Sequence, residues 1–230
     1  MPAVMDEPHH TTANTTIERG ARGWGRAGGA AGRAPRAIAA TAKMSAAAAA
    51  ARLRERGERV ATVEGTSGGL VAAALQAVPR ASSFFLGGIV VYSRHAARAL
   101  LPPPLMRRLG RAKDNYADAP AYRASKRVFA VELARWARES MGADWGVAES
   151  GATDVSTLPP RLRGAGAFSC VAVVGPGGFE LVEFVDVAGK SRKASMLAFA
   201  AHALTLLERA VREAPPEGGG ERKPFEKAKL

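Results

Sequence analysis

Apolar positions along this chain follow two periods, and the switches between them predict the order of elements. Val60-Ala61-Thr62-Val63-Glu64 is a short β-branched run that stops at Gly65, the mark of a buried strand. The small-residue turn Gly65-Thr66-Ser67-Gly68-Gly69 then opens into Leu70-Val71-Ala72-Ala73-Ala74-Leu75. These favour a helix from Gly68 to Val78, closed by Pro79. Upstream, an Ala-rich helix is expected from about Ser45 to Arg56, with Gly57 as its stop. Downstream, Ser83 to Ser93 reads as a second buried strand whose Gly87-Gly88 pair marks a bulge or a close backbone approach.

A short helix from Arg94 to Leu101 then meets Pro102-Pro103-Pro104, which predicts an irregular connection. Residues 105–118 read as a basic surface loop with about one helical turn. From Ala119 to Met141 the pattern is amphipathic, with Phe129, Leu133, Trp136 and Ala137 on one face. A third strand is expected over Asp144 to Gly151, then a proline-broken polar loop from Ala152 to Gly166. Two more strands, Phe168 to Val174 and Glu180 to Val187, flank Gly175-Pro176-Gly177-Gly178, a hairpin signal. Ser191 to Arg212 closes the order as a helix with Leu197, Ala200, Leu204, Leu207 and Val211 on one side.

Strands alternating with helices, plus one late hairpin, predict an α/β fold with a mixed sheet and helices on both faces. In such sheets ligands collect at the carboxyl ends of the strands. Three glycine-marked strand tips are available: Glu64 to Ser67, Tyr92-Ser93, and Glu149 to Thr153. They share one rim only if their strands are parallel.

Composition narrows the function. The apolar fraction of 47% supports a core, and aromatics at 6% make it one of Ala, Val and Leu. A single cysteine, Cys170, excludes an internal disulfide framework; inside an apolar strand it reads as an inert thiol. No run of about 18 apolar residues appears, so no membrane span is expected. Residues 1–43 are Arg-, Gly- and Ala-rich and predict a disordered leader, either an organelle transit peptide for chloroplast or mitochondrion or a plain extension of an otherwise cytoplasmic protein. Met44 is an alternative start. Residues 44–213 make one domain, and 214–230 a disordered tail. Most of the net charge of +12 lies within the domain, which suits a phosphate-bearing small molecule. Nucleic acid fits less well, because interleaved aromatics and recognised motifs are missing.

Metal chemistry is not expected: His9 and His10 lie in the leader, while His95 and His202 stand alone. Gly189-Lys190-Ser191 looks like the end of a phosphate loop, but the glycine such a loop requires five residues earlier is Phe184. Hydroxyl chemistry is left. Thr66 and Ser67 sit at the glycine-rich turn, either as a nucleophile attacking an amide carbonyl or as simple helix caps. Tyr92 and Ser93 are either site lining or ordinary strand-end residues.

Val60 to Gly69, Pro79 to Ser93 with its Gly-Gly-Ile-Val-Val-Tyr-Ser block, and Ala148 to Ala152 resemble the CinA C-terminal domain family, over about residues 45–212. The resemblance implies a three-layer α/β/α sandwich, usually oligomeric. It also implies hydrolysis of the carboxamide of nicotinamide mononucleotide to the nicotinate nucleotide and ammonia, with no metal or other cofactor. The family turn reads Glu-Ser-Cys/Thr-Thr/Ser-Gly-Gly, and its first serine, the presumed nucleophile, is Gly65 here. The family lysine base falls at Ala97 or Arg98, and neither takes up a proton readily. The expectation is an amidase in which Thr66 or Ser67 replaces the serine, amides near Gly68 and Gly69 hold the oxyanion, and Arg98 binds phosphate or polarises the carbonyl. Tyr92 would assist catalysis, with Glu64, Ser93, Ser150, Gly151 and Arg192 contributing to substrate binding. The alternative is a catalytically silent nucleotide-binding protein on the same scaffold.

Overall fold

The computed structural model describes residues 30–113, 116–156, 158–187 and 189–215. Five strands form one sheet in the order β2-β1-β3-β4-β5: β1 (Val60–Glu64), β2 (Phe85–Val90), β3 (Trp145–Ala152), β4 (Phe168–Val174) and β5 (Glu180–Asp186). β2, β1 and β3 run parallel, whereas β3, β4 and β5 are antiparallel neighbours. The sheet is therefore mixed, as expected.

Alternate strand residues face opposite layers. Val60, Trp145, Val147, Val171 and Val173 pack beneath α1 (Ala30–Arg56), α2 (Leu70–Gln76) and α6 (Arg192–Glu213). Ala61, Val63, Ala148, Cys170, Ala172 and Val174 pack on the other face, under α4 (Pro103–Lys113) and α5 (Ala119–Met141). The result is a three-layer α/β/α sandwich. α3 (Arg94–Leu100) carries the chain from β2 towards α4. On length and hydropathy alone α6 could cross a membrane, yet Phe199, Ala203, Leu204 and Leu207 are buried in the core.

Two expectations are corrected. Residues 30–43, placed in the leader, extend α1, whose Ala46, Ala49, Ala50 and Leu53 form its buried stripe. The rest of the expected leader and tail, residues 1–29 and 216–230, lies outside the described residues. Residues 105–113, expected as loop, belong to α4. Proline is well tolerated in a first helical turn, so Pro103 and Pro104 start this helix instead of breaking it, and Leu105 and Leu109 bury one turn apart.

The Gly87-Gly88 expectation is met in both its forms. The β1–β2 register slips between Val60 and Ala61, which face Phe85 and Gly87 respectively. At Gly88 a Cβ would lie 2.3 Å from Thr62 Oγ1, so only glycine lets that buried threonine fit.

Chain path places the site. From β1 the chain crosses by α2 on one face to β2, then returns by α3, α4 and α5 on the other to β3, on β1's far side. A crevice opens where successive crossovers diverge, at the carboxyl ends of β1 and β3.

Candidate functional site

Strand register sets Glu64 beside Glu149 at that crevice, and both are almost fully buried. Buried carboxylates need donors, and each of these has several. Glu64 accepts from the amides of Gly69 (2.9 Å), Val71 (3.0 Å) and Ala72 (2.8 Å), which are the first N–H groups of α2. Glu149 Oε1 accepts from the Gly65 and Ser67 amides, both at 2.7 Å. Its Oε2 accepts from the hydroxyls of Thr66 and Ser169, the latter at 2.8 Å. Ser67 Oγ lies 2.7 Å from Glu64 Oε2 and 2.7 Å from Glu149 Oε1.

Anion binding by the turn is therefore corrected. The positive end of α2 is already occupied by the Glu64 carboxylate, so the amide near Gly69 serves the fold and not an oxyanion. Gly68 and Gly69, at φ of 67° and 94°, provide the left-handed backbone that folds these amides back onto Glu64. Ser67 is fully buried between the two acids. Thr66 alone of the two hydroxyls borders open space.

That space is a cavity of about 500 Å³ beneath the rim. Gly65, Thr66, Tyr92, Ser93, Ser150, Gly151 and Glu149 line it, so all three strand tips meet there. Ser93 also caps α3, accepting from the Ala96 amide at 3.1 Å. Arg98 is exposed on α3 and does not line the cavity; Ala97 and Arg94 do. Arg192 reaches the rim from α6, donating to Tyr92 Oη and Thr153 Oγ1 at 2.8 Å each, and so clasps the ends of two strands.

Several lining residues had no strong signal in the sequence. Lys126 extends from α5, its Nζ 5.0 Å from the ring centres of Tyr122 and Phe129. Arg94 and Arg161 add two further cations, and Arg161 Nε donates to the Tyr116 carbonyl at 3.2 Å. Tyr116 and Tyr122 stack edge to face with ring centres 5.0 Å apart. Burial, reinforced by Tyr116, pushes the Tyr122 phenol up to about 12, so it remains protonated. The wall thus combines aromatic rings with positive charge. A strand-end acid beside small residues, as at both Glu64 and Glu149, was the available clue to the paired carboxylates. Away from the cavity, burial pushes the Cys170 thiol up to about 12, which keeps it protonated and inert.

Comparison with known proteins follows the same outline. Residues 42–211 match the family model of the CinA C-terminal domain. A "CinA-like protein" of Anaeromyxobacter sp. (strain K) is 36% identical over 163 residues, covering 70% of this chain and 36% of that protein. Another, from Prochlorococcus marinus (strain MIT 9313), is 44% identical over 101 residues, 43% of this chain and 20% of that protein. Aligned regions thus span about a third or less of these relatives' length. Among solved structures, a competence or damage-inducible protein from Enterobacter asburiae superposes with a TM-score of 0.58 at 21% identity, covering 74% of this chain and 98% of that one. A CinA superfamily protein from Enterobacter cloacae gives 0.59 at 22% identity, with coverages of 74% and 92%. The chain belongs to the CinA C-terminal domain family.

Proposed function

We propose that this chain is a nicotinamide-nucleotide amidase, binding nicotinamide mononucleotide in the rim cavity and hydrolysing its carboxamide to the nicotinate nucleotide and ammonia. One observation carries the reading: a half-buried Thr66 hydroxyl, fixed by a carboxylate, at the edge of a cavity walled by aromatic rings and by Arg94, Lys126 and Arg161. A phosphorylated ribose bearing a flat pyridinium ring needs such a mixture. Anchored cations take the phosphate, rings and apolar side chains take the base, and few polar groups set orientation. Thr66 is the nucleophile in this reading, Tyr92 and Ser93 orient the ligand from the β2 tip, and Ser150 and Gly151 from the β3 tip. Glu64, Ser67, Gly68 and Gly69 hold the turn, and Arg192 braces Tyr92. Homo-oligomerisation, implied by the family resemblance, is part of the same proposal.

The second reading, a silent nucleotide-binding protein, is favoured by the missing side chain at Gly65 and by Ala97 in the wall. Ammonia release from nicotinamide mononucleotide by the purified protein, with calorimetric binding in parallel, separates the two. Turnover that Thr66→Val abolishes supports the amidase. Binding without turnover supports the silent protein, and neither binding nor turnover contradicts both.

A further inference from the structure

We propose that Glu149 is the catalytic base, so that Thr66 and Glu149 together replace a serine and a lysine that this chain lacks. The inference rests on the amidase reading above. Its geometry is direct: Thr66 Oγ1 donates to Glu149 Oε2. The two carboxylate oxygens divide their work. Oε1 takes the Gly65 and Ser67 amides, and so anchors the side chain. Oε2 takes only hydroxyls, from Thr66 and Ser169.

Gly65 lies directly against Glu149. A Cβ at residue 65 would lie 3.3 Å from the Glu149 carbonyl oxygen and 3.9 Å from Oε1. Without a side chain there, Glu149 closes directly onto the turn. Among the described residues no competing base is so placed. Ala97 has nothing to offer, Arg98 lies outside the cavity, and Lys126 holds its Nζ over two rings of the α5 wall. Glu64 is next to Glu149, but three α2 amides and Ser67 engage it, and it does not line the cavity.

In the first half-reaction Thr66 Oγ1 bonds to the carboxamide carbon while its proton passes to Glu149 Oε2 and the carbonyl electron pair moves onto oxygen. Collapse re-forms the carbonyl, breaks the C–N bond and delivers the Glu149 proton to the leaving nitrogen, releasing ammonia. An ester to Thr66 is left. Water then attacks that ester, giving a proton to Glu149. The C–O bond to Thr66 breaks, Thr66 Oγ1 recovers the proton, and the nicotinate nucleotide departs. One water is consumed and one ammonia formed.

The test uses the full-length protein and nicotinamide mononucleotide, with melting curves confirming that each variant folds. Glu149→Gln is expected to lower kcat by on the order of 10²- to 10⁴-fold, the usual contribution of a positioned base, while KM changes little. Thr66→Val should cause a similar loss, and the double variant should be no worse than either, because the pair acts as a unit. Hydroxylamine should intercept the ester and divert product to the hydroxamate. Near-normal turnover by Glu149→Gln overturns the proposal, as does a multiplicative loss in the double variant. Should Glu149→Gln fail to fold, Thr66→Val and the hydroxylamine reaction decide alone: surviving turnover, or no hydroxamate, overturns it. In those cases amide hydrolysis itself survives, since ammonia is still released, and only its assignment to Thr66 and Glu149 falls. No ammonia from the unaltered protein overturns both.

Discussion

Glu64 and Glu149 lie opposite one another on adjacent parallel strands, and the hydroxyl of Ser67 is 2.7 Å from a carboxylate oxygen of each. Five amide donors surround these two buried acids and offset the cost of burying their charge. The turn is therefore a closed polar assembly that exposes one hydroxyl, Thr66, to the cavity.

Glu64 should accordingly matter to stability more than to chemistry. Glu64→Ala leaves three α2 amides without their acceptor and is expected to cost about 3 kcal/mol or more in urea unfolding. Glu64→Gln should cost less, since one amide oxygen still accepts. A cost for Glu64→Ala within experimental error would contradict the capping role.

Gly151 tests the approach of β3 to β4. A Cβ there would lie 2.0 Å from the Phe168 carbonyl oxygen, which is backbone and cannot rotate aside. Gly151→Ala should lower stability by about 3 kcal/mol, at the upper end of ordinary overpacking. At Gly110, inside α4, a Cβ would meet nothing within 4 Å. Gly110→Ala is expected to stabilise by about 0.5–1 kcal/mol, through helix propensity alone. Thermal melts of the two variants should shift in opposite directions.

Restoring the family serine should harm this chain. At residue 65 a side chain would crowd the Glu149 backbone, and its hydroxyl would compete for Oε1. Because displacement by about 1 Å can cost on the order of a hundredfold, Gly65→Ser is expected to reduce kcat by about tenfold or more. A higher rate would show that Glu149 and Thr66 are no substitute for the serine.

Much of this fold was legible in the sequence. Helix α5 and strand β4 match their expected bounds to the residue, because Phe129, Leu133 and Ala137 repeat with helical spacing and Phe168 to Val174 is a continuous apolar run. Helix α4 was hidden by its prolines, which break a helix only beyond its first turn. The convergence of Thr66, Tyr92 and Ser150 on one rim followed from the parallel β1, β2 and β3. Illegible was the choice between Thr66 and Ser67. It depends on Glu149, more than 80 residues away in sequence, and local propensity carries no trace of such a contact.

His202 gives the fold an acid sensitivity. It lies on α6 with Nε2 3.1 Å from Glu183 Oε2 and with Arg209 nearby. Burial holds its pKa below the ordinary 6.5, outweighing the opposing pull of Glu183. The unfolded chain then takes up the proton first. Stability from this group is full above about pH 6.5 and declines as pH falls from there towards the lower folded-state value. In melts between neutral and mildly acidic pH, His202→Gln should lose less stability than the parent. An equal loss in the two proteins would contradict this assignment.

The most direct test is a crystal structure of the protein with nicotinate mononucleotide, the product of the proposed reaction. The nucleotide carboxylate is expected beside Thr66 Oγ1, the ring against the Tyr122 and Phe129 wall, and the phosphate on Arg94, Lys126 or Arg161. A nucleotide bound outside the rim cavity, or within it with its carboxylate turned away from Thr66, would contradict the proposed reaction.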